Sequence, residues 1–348
     1  MEFGVFFQLP RAPSQDTATR YAETIEQIVL ADELGFDTAW LAEMHFIPAY
    51  SIMPSPLIVG AAAAAKTGRI RIGIAVVLLP LHDPIRAAED AATLDVLSGG
   101  RLDYGVGRGS IAPHFAGFNI PMRERNSRFE EAIDIVRMAW GPEPVTYHGQ
   151  HFRYEHVNVE PKPLQQPHPP IRLAANSDDS AERAAREGWS IMVSPVTAFH
   201  DDLRRRLWAY RSIRAGQGTQ PPARDIVWLM PVYVAEDGDQ AREEARESLM
   251  AYFRVVGETQ IPGYLKAGGD PDRLPPVLHR YRHCSYEDIL RDCAAVGSPA
   301  EVRDRLAAIH QEYGAGHFQT WFNAGGLIPH GRVLRSMELF MDRVAPGL

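Results

Sequence analysis

The sequence predicts an α/β protein, an eight-stranded parallel (β/α) TIM barrel with insertions, on three observations. Strand-like and helix-like stretches alternate along the 348 residues, the pattern of parallel strands joined by crossover helices. Eight such units can be counted, which suits a closed barrel better than an open sheet. Finally, TAWLAEMHF (38–46) is an apolar strand that stops at a carboxylate and a histidine. In a parallel barrel the C-terminal strand ends form the mouth where ligands sit, so a charged pair placed there has a reason to exist.

The strands are expected at 2–8, 38–42, 70–79, 102–106, 171–175, 191–194, 226–234 and 318–322. Amphipathic helices are expected between most of them. Residues 19–34 put Ile25, Ile28 and Val29 on one face and end at Gly35. Residues 84–97 begin at Pro84 and end before Gly99-Gly100, the usual asymmetry of helix ends. The pattern repeats at 128–140, 180–187, 199–214, 239–253, 299–313 and 331–344. Two stretches exceed a minimal barrel. Residues 143–170 read as a hairpin turning at Gly149 with a proline-rich return. Residues 255–285, with Pro262-Gly263, Gly268-Gly269 and Pro275-Pro276, read as an irregular lid or substrate wall. The whole chain, 1–348, reads as one domain.

Composition narrows the function classes. With 45% hydrophobic and 23% charged residues the chain can bury a large core. A formal charge of -8 and a pI near 5.9 argue against nucleic acid or acidic lipid as partners. Cys284 and Cys293 form neither a CxxC motif nor a disulfide framework, which fits a reducing compartment. The chain opens on a strand-like MEFGVFF rather than a signal sequence, and its longest apolar run, 58–65, is too short for a bilayer. A cytoplasmic location is expected.

Glu43 and His45 are the first candidates for chemistry, with Met44 between them. RLDYGVGRGS (101–110) ends a strand in Gly105, Gly107 and Gly109 around Arg108. The spacing is not that of a dinucleotide fingerprint. Bare backbone still admits a ligand and a guanidinium suits phosphate, although a surface arginine in a glycine turn reads equally well. LAANSDDSAERAA (173–185) carries Asn176, Ser177 and Ser180 into a helix start. Hydroxyls and free N–H groups there make an anion site, or simply a helix cap from Ser177 or Asp178. AVVLLPLHDP (75–84) leads a buried strand to His82, either a donor to a ligand oxygen or a loop anchor. His114 is a candidate of the same kind. His148, His151 and His156 match no zinc spacing, and no metal is expected. Phe6, Phe7, Trp228, Tyr264, Trp321 and Phe322 can build an aromatic wall, or pack the core.

Together these stretches resemble the bacterial luciferase-like family of flavin-dependent oxidoreductases. The resemblance runs from MEFGVFF and GFDTAWLAEMHF through VVLLPLHDPIRAAEDAATLDVLSGGRLDYGVGRG and RYEHVNVEPKPLQQPHPPI to the closing GSPAEVRDRL and GGLIPHGRVLRSMELFMDRVAP. It implies a luciferase-like barrel, a homodimer, and reduced FMN at the C-terminal mouth. By motif, Arg108, Ser177 and Ser180 would hold the FMN phosphate. Ala75-Val76, where relatives have a non-prolyl cis peptide, would lie against the isoalloxazine, and Glu43, Ser110 and Asn176 would line the same pocket. The resemblance has one departure. The luciferase pattern Glu-His-His-Phe here reads Glu43-Met44-His45-Phe46, and Met44 cannot transfer a proton. Met44, with Phe7, His114 and Trp321, instead suits a hydrophobic substrate, while Glu43, His45 and His82 are left as the catalytic candidates.

The function so implied is a two-component monooxygenase. Reduced FMN from a separate NAD(P)H:flavin reductase reacts with O2 to a C4a-(hydro)peroxyflavin, which oxygenates a small organic molecule. One alternative is deazaflavin-dependent hydride transfer, whose long acidic cofactor tail asks for more basic residues than Arg108, Arg123 and Arg125. The other is a non-catalytic flavin-binding partner subunit.

Overall fold

The computed structural model describes every residue except Pro13 and Ala267; the latter falls inside the expected 255–285 insertion and lies outside the described residues. In chain order the strands are β1 (Glu2–Phe7), β2 (Thr38–Leu41), β3 (Arg71–Leu78) and β4 (Leu102–Gly107), then a hairpin of β5 (Val145–His148) and β6 (Arg153–Val157). They continue as β7 (Ile171–Ala174), β8 (Ser190–Val193), β9 (Ile226–Val234), the short β10 (Ala295–Gly297) and β11 (His317–Trp321). Eight of them close a parallel barrel, in the order β1, β2, β3, β4, β7, β8, β9, β11 and back to β1. Each expected barrel strand is present with its ends within one residue. β10 adds to the far end of β9, pairing Val232–Val234.

Local chemistry explains the helix boundaries. Asp16 and Asp83 cap the helices Thr17–Leu34 and Pro84–Leu97 by accepting from the N–H groups of Thr19 and Arg86. Gly35 ends the first in a left-handed conformation, φ 96°. Ser298 and Glu301 form a reciprocal capping box on Pro299–Tyr313.

Four features differ from expectation. The helix Pro56–Ala64 (PLIVGAAAA) follows β2, yet it has no polar face, so its period leaves no trace in the sequence. The helix Gly238–Lys266 runs through Pro262 and well past 253. Its buried face, with Tyr252, Phe253 and Val256, holds it against the barrel where local breaker signals argue for a loop. Residues 276–283 and 286–292 are helical too, so much of the 255–285 stretch is helical rather than irregular. The last helix ends at Leu339 and widens into a π turn over Phe340–Val344.

The hairpin turns at Gly149 as expected. The Glu131 carboxylate accepts from the backbone N–H groups of Gln150, His151 and Phe152 at 2.8, 2.9 and 3.1 Å, and a Cβ on Gly149 would sit 2.2 Å from it. His148 pairs with Glu155 and His151 with Ser127. No group of three or more potential metal ligands occurs among the described residues. Nor, among them, is any helix long and apolar enough to cross a membrane.

The lower half of the barrel is plugged. The Trp40 indole fills space that Cβ atoms on Gly4 and Gly73 would invade, at 2.6 and 2.2 Å. Its Nε1 donates to His317 Nε2 at 3.1 Å, and His317 Nδ1 faces Glu2 at 3.0 Å. Arg172 stacks on the same indole and, with Arg71, pairs with the fully buried Asp103. With the N-terminal end filled, the C-terminal half is what remains open.

Candidate active site

The C-terminal strand ends surround one cavity of about 690 Å³. Of the predicted residues, Glu43 and Met44 line it from the end of β2, and Ala75 and Val76 from β3. Arg108, Ser110 and His114 line it after β4, and Asn176, Ser177 and Ser180 after β7. Trp321 lines it from β11. Three predicted residues lie elsewhere. His45 and His82 stand behind Glu43, off the cavity surface. Phe7 points the other way from its neighbour Phe6, because side chains alternate along a strand. Phe6 lines the cavity, whereas Phe7 lines a small void beside Arg20, Thr24 and Gln27.

Glu43 is the hub of the β2–β3 wall. Its Oε1 accepts from His45 Nε2 at 2.8 Å and His82 Nε2 at 2.7 Å, and its Oε2 accepts from the Leu78 N–H at 2.9 Å. Burial opposes its charge, but these three donors more than offset that, and its pKa is lowered to about 2. Glu43 is therefore an ionised brace and holds no proton to give. Burial lowers the His82 pKa and the bonded Glu43 carboxylate raises it, with a net rise.

The His45 backbone N–H donates to His114 Nε2 at 3.3 Å, which leaves the ring proton of a neutral His114 on Nδ1. Burial, then the neighbouring His45, pushes the His114 pKa down to about 4 from an ordinary 6.5. A depressed folded pKa means that the stability is intact above 6.5 and is lost as pH falls through 4. The loss should amount to roughly 3 kcal/mol. His114→Gln is expected to flatten that part of the profile, read from urea midpoints at each pH. An unchanged slope would contradict the assignment.

On the far wall, β4 ends at Gly107 and Arg108 follows it. A Cβ on Gly107 would lie 2.6 Å from Val76 Cγ2, so the backbone must stay bare. The Ala75-Val76 peptide is cis, at the point where pairing between β3 and β4 shifts register. Ser177 caps the helix Asp178–Glu187, its Oγ accepting from Ser180 N–H at 3.3 Å and lying 2.9 Å from Ser180 Oγ. Asp178 does not cap; it pairs with Arg205 and Arg206. Arg108 touches the same helix turn, Nη1 to Asp179 at 2.5 Å, with Nη2 at 3.2 Å from Glu130. Among the described residues its buried Nε has no partner. Asn176 accepts from the Thr197 hydroxyl at 2.9 Å.

Sequence reasoning missed Gln8, Tyr252, Gln260 and Gln319, all on the cavity surface. Gln8 follows an apolar strand, so the argument that singles out Glu43 would have found it. Gln319 sits within β11, where the sequence carries no comparable signal. Arg123 is exposed and off the cavity, whereas Arg125 lines it.

Comparisons with known proteins agree with this fold. A family model described as luciferase-like monooxygenase matches residues 1–316. The oxygenase component of a flavin-dependent trigonelline monooxygenase from Acinetobacter baylyi is 27% identical over 357 residues, covering 100% of this chain and 95% of that protein. The crystal structure of monooxygenase RslO1 from Streptomyces bottropensis superposes with a TM-score of 0.86 at 30% identity, covering 99% of both chains. Two likenesses below a quarter identity show the fold alone. One is the oxygenating constituent of 3,6-diketocamphane monooxygenase of Pseudomonas putida, in complex with FMN (TM-score 0.82, 21% identity, 100% and 98% of the chains). The other is a coenzyme F420-dependent tetrahydromethanopterin reductase from Methanopyrus kandleri (0.74, 17%, 99% and 98%). Barrel, cavity and family model converge, and the chain belongs to the luciferase-like monooxygenase family.

Proposed function

We propose that the chain is the oxygenase component of a two-component, FMN-dependent monooxygenase. The observation that carries this reading is the grouping of one guanidinium and two hydroxyls at a single helix start, on the wall of the cavity at the C-terminal strand ends. The residues fit a phosphate. Arg108 brings a positive charge to the cavity wall, one of the paired serine hydroxyls retains a free proton, and the helix N-terminus adds N–H groups and its dipole. Gly107 and the Ala75-Val76 backbone offer a bare surface for a flat ring.

Bound reduced FMN would supply the electrons with which O2 is divided between product and water. The chain's own residues do the rest. Arg108, Ser177 and Ser180 hold and orient the phosphate. Ionised Glu43 fixes His45 and His82 and places a negative charge at the β2 wall. Neutral His114, its Nε2 taken up by the His45 N–H, keeps an Nδ1–H that can donate a hydrogen bond. Met44 and the aromatic side chains exclude water from the reacting face. A separate reductase, O2, a small organic substrate and a homodimeric assembly complete this reading. The trigonelline relative, named as an oxygenase component, supports the separate reductase.

The test is to mix anaerobic reduced FMN with the protein, admit O2, and follow flavin reoxidation. The protein should slow reoxidation and give a transient that free flavin lacks. Reoxidation at the free-flavin rate would refute the reading, and tighter binding of a deazaflavin than of FMN would favour hydride transfer instead.

Asp179 and Glu130 already face Arg108, so an incoming phosphate shares its guanidinium with carboxylates. Asp179→Asn should tighten FMN binding roughly threefold to tenfold at low salt, and less as ionic strength rises. A titration showing weaker binding would mean that Asp179 positions Arg108 rather than competing for it.

A further inference from the structure

Ten of the thirteen histidines use a ring nitrogen in a hydrogen bond to another group of the chain. Among the described residues, His156, His279 and His283 are the exceptions, and two of these three face each other. His279 and His283 lie four residues apart on the helix Pro276–His283, both on its exposed side. Their ring centres are 4.5 Å apart, with 42° between the planes. That spacing lets one nitrogen of each ring converge on a point about 2 Å from both, the usual length of a metal–imidazole bond. A pair at i and i+4 is also how two histidines of one helix face grip zinc.

The other side of this helix is anchored. Leu278 and Tyr281 are buried, and the Tyr281 hydroxyl donates to the Val196 carbonyl at 3.0 Å. Arg280 donates to the carbonyls of Val196 and Ala198, its charge turned inward over Phe199. Thr197, between those carbonyls, lines the cavity and bonds to Asn176. The helix therefore braces a cavity loop, yet it is only eight residues long and its last carbonyls lack helical partners. A cross-link from His279 to His283 would fasten that last turn. The exposed Arg282 is the neighbouring charge that opposes a cation there.

We propose that His279 and His283 form a two-ring clamp for a divalent transition metal of the Ni2+ or Cu2+ kind. Water fills the remaining positions of the ion, and its binding braces this helix and the 196–198 loop behind it. Imidazole donors favour such ions over Mg2+ and Ca2+, which take oxygen. The clamp lies outside the residues that line the cavity, so it stands independently of the flavin reading.

The test titrates NiCl2, CuCl2 and MgCl2 into the full chain, carrying no added histidine tag, by calorimetry. The wild type should bind one Ni2+ per chain, Cu2+ more tightly, and Mg2+ not at all. His279→Ala and His283→Ala should each weaken Ni2+ binding roughly tenfold to hundredfold, because the remaining ring loses its intramolecular second contact. Both side chains are exposed, so the metal-free variants should melt with the wild type. His156→Ala should leave Ni2+ binding unchanged, and Arg282→Ala should tighten it by removing the opposing charge. Saturating Ni2+ should raise the melting temperature of the wild type and leave that of the double variant His279→Ala, His283→Ala where it was. Ni2+ binding that survives both substitutions, or that falls as much with His156→Ala, would overturn the clamp. Bound Ni2+ that leaves wild-type melting unmoved would overturn the bracing.

Discussion

Glu43→Ala is expected to destabilise the protein by about 3–5 kcal/mol, the usual cost of removing one partner from a buried ionic cluster. The substitution strands His45 Nε2, His82 Nε2 and the Leu78 N–H at once, all of which end on this carboxylate. It also unties the end of β2 from the end of β3. The effect should depend on pH in a defined sense. The Glu43 pKa falls from an ordinary 4.5 to about 2 in the folded chain. Its ionised form therefore stabilises the fold fully above pH 4.5, and that contribution fades as pH drops through 2. His82 works from the other side, because its pKa is raised. Its contribution is complete below 6.5 and fades as pH rises through the raised value. Chemical denaturation of wild type and Glu43→Ala across pH should show the gap largest between about 4.5 and 6.5 and narrowing on the acid side. A constant gap would mean that Glu43 acts by packing alone. Glu43→Gln, which keeps the shape, should recover part of the loss.

Arg108→Ala is expected to weaken FMN binding roughly 10- to 100-fold, the worth of a charge-assisted phosphate contact of about 1.5–3 kcal/mol. The fold should tolerate the change. Arg108 sits at a strand end, and its partners Asp179 and Glu130 are at least a third exposed, so they hydrate once it is gone. Unchanged melting with lost affinity is the expected signature. Equal loss of both would place Arg108 in the scaffold rather than at a ligand.

The barrel was legible because hydrophobic alternation and helix signals are local. Pro84 at N1, Gly35 beyond a last turn and the charged end of β2 each report their own neighbourhood. The helix Pro56–Ala64 was not legible, because an apolar helix in a crowded layer shows no polar period. The extension of Gly238–Lys266 through Pro262 reflects tertiary packing that overrides a local breaker. At the site, Arg108, Ser177 and Ser180 stood out through glycines and a helix start, features that sequence carries. Gln319 did not, since a glutamine within a strand carries no local signal that it faces a cavity. His45 is expected at a ligand and His82 either at a ligand or as a loop anchor, yet both face Glu43. The sequence places them at strand ends but cannot say which side of a carboxylate they occupy.

The grip of one arginine and two serines on a terminal phosphate is tested most directly by titrating FMN and riboflavin, which differ only by that phosphate, into wild type and Arg108→Ala. Wild type should prefer FMN by at least tenfold, and Arg108→Ala should bind the two flavins nearly alike, with riboflavin affinity unchanged. If wild type binds riboflavin as tightly as FMN, or if the preference survives without Arg108, these three side chains are not a phosphate site.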